Sequence, residues 1–543
     1  MKTPFDPTFQ KYSSQRYPVY ARGGMVNASS PQASAAGLEI LKKGGNAIDA
    51  AVATASALTV VEPTANGIGS DAFALVWSAK DQKLYGLNSS GPAPMAATID
   101  TILADKKDNN GKMPAFGWTA VTVPGAPKAW AELNRRFGKL SLSEDMAPAV
   151  KYARDGYPCS PNLAIMWQRA YKRYSEVFAG KAEFDEWFRT FSPEGKPYEA
   201  GDIIKLPNHA DTLEAIGRTG ADAFYSGDIA RSIDADSREF GGYLRYEDLA
   251  RFEAKWVEPV KVNYRGYEIC EIPPNGQGIT ALMALNILKE FEFGEKDSAE
   301  TYHKQLEAMK IAFADSLHYV TDPDYMDIDY NALLDPAYGA ERAKEIGENA
   351  KIYTHSVPPK SGTVYFCCAD SEGNMVSYIQ SNYMGFGSGI VVKDTGISLQ
   401  NRGCDFSLDP KDANCLAPGK RTYHTIIPGF IIKDGKAVGP FGVMGGYMQP
   451  QGHLQVAMNY IDFHLDPQQA LDAPRWQWMR DNTVTVETRF DSNIARILQQ
   501  KGHAIRVDLN TPSFGRGQMI VRLENGTLVG GTESRTDSNI ACY

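Results

Sequence analysis

Thr363-Val-Tyr-Phe-Cys-Cys-Ala-Asp370, Ser371-Glu372-Gly373 and Asn374-Met-Val-Ser-Tyr-Ile-Gln-Ser-Asn382 read as two β-rich runs joined by a three-residue turn. Glycine in the last turn position supplies the left-handed conformation that such a hairpin loop needs. Pairing that is symmetric about Glu372 sets Ser381 opposite Thr363, because each lies nine residues from the centre. Cys367 and Cys368 then alternate faces of the strand and serve as packing residues. Gly362-Thr363 enters this strand, and the junction has two readings. Threonine favours strands for steric reasons and usually only packs there. A threonine made into an N-terminus by self-cleavage is instead a nucleophile with its own amine as base.

Downstream, Gly442-Val-Met-Gly445-Gly446-Tyr447-Met448-Gln-Pro-Gln-Gly452 is a glycine-dense turn ahead of the apolar run His453 to Met458. Consecutive glycines let successive backbone N–H groups point into one concavity, which stabilises an oxyanion without side chains. A tight, closely packed turn is the competing reading of the same pair.

With these features in place, the chain resembles the γ-glutamyltranspeptidases (γ-glutamyltransferases, glutathione hydrolases) among the N-terminal-nucleophile hydrolases. The likeness runs through Gly24-Met25-Val26, Ala33 to Leu41, Gly44 to Ala53, Val61-Glu62-Pro63 and Gly67-Ile68-Gly69. It continues through Gly387-Ser388-Gly389, Asp405-Phe406-Ser407, Pro418-Gly419-Lys420-Arg421 and Gly445-Gly446. The phrase Gly86 to Pro94 looks more like a bacterial, signal-less branch of transpeptidase-like proteins.

The resemblance implies an α/β (α+β) protein, an N-terminal-nucleophile hydrolase four-layer αββα sandwich. It further implies a proenzyme cut between Gly362 and Thr363, with residues 1–362 as the large subunit and 363–543 as the small one, together one intertwined catalytic unit. Thr363 would attack an amide carbonyl, Gly445 and Gly446 would donate to the oxyanion, and Ser381 would be the second hydroxyl near the nucleophile. Departures from the family pattern concern the substrate. The clamp arginine for the γ-glutamyl α-carboxylate is replaced by Asn88, the consecutive serines by His424-Thr425, and a family asparagine by Tyr383. Asp405 matches the acidic residue for the α-amino group, while Arg402 stands where many relatives have a neutral amide. Arg402 is then either a relocated carboxylate clamp or a structural ion-pair partner of Asp405. A γ-glutamyl or glutathione-type amide is the first expectation. Another carboxylate-bearing amide, of the oxamate or cephalosporin-side-chain type, is the alternative, with hydrolysis or transfer to an amine as outcome.

Composition fits an enzyme of small molecules. The chain has 543 residues, 43% hydrophobic and 22% charged, and a net charge of −9 disfavours a nucleic-acid partner. The opening Met1 to Tyr12 lacks the apolar core of a secretory signal and the longest apolar stretches are short, so a cytosolic protein without a membrane span is expected. Seven cysteines without CxxC spacing argue against a disulfide framework. The eight histidines show no HExxH or paired metal spacing, so neither metal nor cofactor is expected. Expected partners are a small-molecule amide and the two fragments of the chain itself; a homo-oligomer stays open.

Ser34 to Lys43 reads as a helix stopped by Gly44-Gly45, and Asn46 with Asp49 as a cap opening an alanine-rich helix to about Leu58. Ala182 to Phe191 and Gln305 to Tyr319 also read as helices. The rival functional classes are a non-catalytic binding protein of the same fold and a serine or metal hydrolase. Thr363, Ser381 and the glycine pair speak against the first, and the lack of a nucleophile elbow or metal motif against the second.

Overall fold

The hairpin forms as its turn chemistry requires. Strands Gly362–Asp370 and Met375–Tyr383 pair antiparallel with Tyr365 opposite Ile379 and Cys367 opposite Ser377, and Gly373 sits at φ +97°. The register symmetric about Glu372 holds from Val364 onward and shifts across Thr363, where the ladder breaks into an irregularity. Bulges of this kind re-aim a side chain and are common beside active sites. The computed structural model describes residues 15–353 and 362–543, so the residues just before the Gly362-Thr363 junction lie outside it.

The hairpin lies within a seven-stranded antiparallel sheet ordered Asn539–Cys542, Gly24–Ala28, Gly362–Asp370, Met375–Tyr383, Asp71–Ser78, Lys83–Ser89, Lys255–Val257. A second sheet is ordered Val19–Ala21, Leu528–Thr532, Arg516–Arg522, Lys436–Met444, Gly429–Lys433, Tyr267–Glu271, Val260–Tyr264. Both sheets draw strands from before and after Thr363, so the two halves of the chain are interleaved.

Strand periodicity explains the layers. Val364, Phe366 and Cys368 join a core with helices Pro31–Lys42 and Ala47–Val61, whereas Tyr365, Cys367 and Ala369 join the core between the two sheets. The expected alternation of Cys367 and Cys368 is thus present, and all seven cysteines are unpaired. Helices Gly278–Leu288 and Gln449–Ile461 cover the outer face of the other sheet, completing four layers α-β-β-α. Among the described residues no helix is long and apolar enough to cross a membrane.

Several helix ends differ from the sequence reading for local reasons. The first helix starts at Pro31, whose fixed φ suits the first turn, rather than at Ser34, and ends at Lys42. Asn46 caps the next helix as expected, accepting from the N–H groups of Ile48 and Asp49, but that helix continues past Leu58 to Val61 because it is buried on every side. Gly37 allows the two helices to touch, since a Cβ there would stand 2.4 Å from the Thr54 hydroxyl. Ala182 to Phe191 divides into a 3-10 turn, Ala182–Phe184, and a short helix, Asp185–Phe191. The helix read as beginning at Gln305 begins at Ala299, where Ser298 accepts from the N–H of Thr301.

One buried contact in this helical layer gives a pH prediction. Asp49 accepts from the N–H groups of Asn46 at 2.8 Å and Lys139 at 3.0 Å, and a protonated Asp145 donates to it. Burial first, then the Asp49 charge, pushes Asp145 up to about 9. Between the unfolded carboxyl range and that value the folded state holds a proton the unfolded chain lacks, so stability falls as pH rises across the window. Asp145→Asn keeps an oxygen for the Asn134 amide, 2.8 Å away, and offers Asp49 a permanent N–H donor. It is expected to raise stability at pH 8 by on the order of 1–3 kcal/mol, seen as a higher melting temperature, and to change little at pH 4. Thermal scans at the two pH values check it.

Candidate active site

Thr363 is fully buried, and its Oγ1 lies 3.0 Å from Ser381 Oγ, the neighbour that the hairpin spacing predicts. Ser381 Oγ also accepts from the Tyr383 N–H at 2.8 Å. Tyr383 closes the strand at φ +73°, a left-handed conformation, and this turns its ring back toward the site. Its hydroxyl donates to Asp405 Oδ1 at 2.6 Å, while the Arg402 guanidinium stacks over its ring at 3.9 Å.

Arg402 and Asp405 share one 3-10 turn, Arg402–Asp405. The Arg402 Nη1 donates to Thr425 Oγ1 at 2.7 Å and reaches Asp405 Oδ2 at 3.4 Å. Among the described residues its Nε and Nη2 meet no acceptor, although the side chain is only 1% exposed. Those two nitrogens form one edge of the planar fork, the edge that grips a carboxylate in a bidentate pair. Burial pushes the Asp405 carboxyl up, against the opposing pull of Arg402 and the Tyr383 hydroxyl.

The glycine turn joins this group through a residue that the sequence does not announce. Gln277 Nε2 donates to the carbonyls of Thr425 at 2.6 Å and Gly446 at 2.9 Å. Gly445 at φ +144° and Gly446 at φ +61° adopt backbone conformations that other residues reach only with strain. The strand before them, Lys436–Met444, crosses the strand Gly362–Asp370 closely. A Cβ on Gly442 would stand 2.5 Å from the Tyr365 ring, next but one to Thr363.

His424 is placed beside the cluster, with both nitrogens engaged. Nδ1 accepts from the Ile426 N–H at 3.3 Å, which leaves Nε2–H to donate to Asp71 Oδ2 at 3.0 Å. Burial, reinforced by Arg402, holds His424 well below the usual histidine range, so the ring is neutral. Asp71 pairs in register with Ser381, accepts from the Gly91 N–H and is pushed up to about 7 by burial. Asn88 is committed to a neutral network. Its amide donates to Asn275 Oδ1 at 2.9 Å and its Oδ1 accepts from the Ser90 N–H and hydroxyl.

The sequence candidates are therefore brought together: Thr363, Ser381, Tyr383, Asp405, Arg402, Thr425 and Gly446 form one continuous path of contacts through Gln277. Asp71, Asn275 and Gln277 are the additions from structure; no local motif marks them. Elsewhere, His303, Glu307 and His503 converge within 4.8 Å, which sequence spacing did not reveal. Lys310 already pairs with Glu307 at 2.7 Å and the two imidazoles bond to each other at 2.9 Å, while His503 Nδ1 has no partner among the described residues.

Comparison with known proteins agrees with this geometry. The crystal structure of cephalosporin acylase from Bacillus halodurans superposes with a TM-score of 0.96 at 54% identity, covering 100% of this chain and 99% of that one. The glutathione hydrolase-like YwrD proenzyme of Bacillus subtilis (strain 168) is 37% identical over 523 residues, 94% of this chain and 97% of the relative. The glutathione hydrolase proenzyme of Escherichia coli (strain K12) is 32% identical over 542 residues, 96% of this chain and 92% of the relative. A family model described as gamma-glutamyltranspeptidase matches residues 33–543, and together with the paired hydroxyls and the interleaved sheets this establishes that the chain belongs to the gamma-glutamyltranspeptidase family.

Proposed function

We propose that this chain is a self-processing amidohydrolase whose acyl donor carries a carboxylate. The observation that carries the reading is the buried Nε/Nη2 edge of Arg402, which meets no acceptor among the described residues and lies on the same contact path as the Thr363 hydroxyl. Cleavage after Gly362 leaves residues 1–362 and 363–543 as two subunits that stay together because each supplies strands to both sheets.

The chemistry follows from the residues. The freed α-amine of Thr363, with a pKa of about 7.7–8.0, takes the hydroxyl proton as Oγ1 attacks the amide carbonyl. The N–H groups of the Gly445-Gly446 turn receive the developing oxyanion, a contribution of about 10²–10³ in rate for one such donor. Collapse expels the amine, which takes up a proton, and leaves an ester on Thr363. Water or a second amine then attacks that ester and releases the acyl group. Arg402 holds the carboxylate of the acyl half throughout, with Thr425 and Tyr383 fixing the guanidinium plane.

Asp405 favours an acyl half without an α-ammonium group. Its two oxygens are already met by the Tyr383 hydroxyl and by Arg402, and Asn88 offers no charge where the family clamp stands. Glutaryl-4-nitroanilide is therefore expected to be a better donor than γ-glutamyl-4-nitroanilide, and far better than its own methyl ester. Release of 4-nitroaniline by the purified protein measures all three. Equal rates for the acid and the ester would remove the carboxylate clamp from the reading.

A further inference from the structure

Apart from the buried Arg402 cluster, a cavity of about 410 Å³ opens directly from the glycine turn. Met444 and Gly445 border it on one side and Met384, Gly385 and Phe386, which follow Tyr383, on another. Its third wall is the helix Pro161–Val177. Met166, Arg169, Ala170, Arg173 and Tyr174 recur there at helical spacing and form one stripe along the cavity. The sequence gives no sign that this stripe serves a site, because the facing residues, among them Met384, Met444 and Asn510, come from distant parts of the chain.

The lining is apolar at depth and cationic at the mouth. Arg169 and Arg173 are exposed. Arg169 donates to Asn510 Oδ1 at 3.3 Å, and Arg173 stacks 4.8 Å from the Phe116 ring centre. Among the described residues neither pairs with a carboxylate, and no acidic side chain lines the cavity. Arg516 also lines it; it pairs with Glu62 at 2.9 Å, yet its buried Nε meets no acceptor among the described residues. Three guanidinium groups around one cavity stand out on a chain of net charge −9.

We propose that this cavity is the leaving-group site, and that it takes an amine with an aromatic-sized apolar body and a carboxylate reaching Arg169 and Arg173. The inference rests on the amide-cleaving reading above and extends it to the other half of the substrate. The amine departs while the acyl group is still bound to Thr363, so its compartment must open to solvent. The Arg402 guanidinium is buried, whereas this cavity reaches solvent beside the exposed Arg169 and Arg173 and begins at the glycine turn. Methionines and aromatic rings suit a flat apolar body, and the exposed arginines suit an anionic end.

The test uses two free amines that differ by one carboxylate, 5-amino-2-nitrobenzoate and 4-nitroaniline, titrated calorimetrically into the purified protein. The carboxylate-bearing amine is expected to bind at least about tenfold tighter, the scale of a charged hydrogen bond. In Arg169→Ala/Arg173→Ala, two exposed changes that leave the fold intact, the difference should shrink to about threefold or less. Equal affinities in the unmodified protein would overturn the proposal, as would a preference that survives the double substitution. Neither amine carries an acyl half, so Arg402→Gln should leave the preference unchanged; a failed acyl clamp and a failed leaving-group site therefore give separate results.

Discussion

Thr363→Ala is expected to stay a single chain on a denaturing gel while the unmodified protein resolves into two fragments, the smaller beginning at Thr363 by mass spectrometry. Cleavage and turnover draw on the same oxygen. In processing, Oγ1 adds to the Gly362 carbonyl, the Gly362-Thr363 C–N bond breaks to give an ester and a free amine, and water hydrolyses the ester. Alanine has no oxygen to start this, and the register shift at Thr363 offers no substitute nucleophile, because Ser381 Oγ is 3.0 Å from Oγ1 on the partner strand and already accepts the Tyr383 N–H. Amide turnover should fall by at least about 10⁴-fold, the scale seen when a catalytic nucleophile is removed. Thr363→Ser keeps the oxygen and should still cleave, more slowly. An unmodified protein that is fully active as one uncut chain would overturn the mechanism.

What the sequence disclosed about this site follows the range of its interactions. The Thr363 to Ser381 contact was legible because it depends on a turn of three residues and two adjoining strands, all in one contiguous stretch. The Asn46 cap and the alternate facing of Cys367 and Cys368 were legible for the same reason. The irregularity at Thr363 was not, since symmetric pairing is the default and the strand end departs from it. Gln277 and Asp71 were invisible because Gln277 meets Gly446, and Asp71 meets His424, across well over a hundred residues, in conformations that no local pattern encodes. His424 looked like a substrate contact by position, but the structure gives both of its nitrogens to Asp71 and to the Ile426 backbone, so it reaches the site through them. The order of strands in the two sheets was likewise a matter of long-range pairing, and only the four-layer architecture entered, through the family resemblance.

Arg402→Gln should separate maturation from substrate recognition. Self-cleavage involves no external carboxylate, so the variant is expected to appear as two fragments like the unmodified protein. Its kcat/KM for a carboxylate-bearing amide should fall roughly ten- to a hundredfold, since a hydrogen bond to a charged group contributes about 1.5–3 kcal/mol. The glutamine amide still reaches toward Thr425, which limits repacking, but it cannot present two parallel N–H groups. Arg402→Lys should recover little, because an ammonium is a point charge without the planar fork and loses the stacking on the Tyr383 ring. The methyl ester of the same substrate supplies the control: its low turnover should be nearly indifferent to either substitution. If Arg402→Gln matured normally and cleaved the acid as fast as before, Arg402 would be a structural residue that only ties Asp405, Thr425 and the Tyr383 ring together.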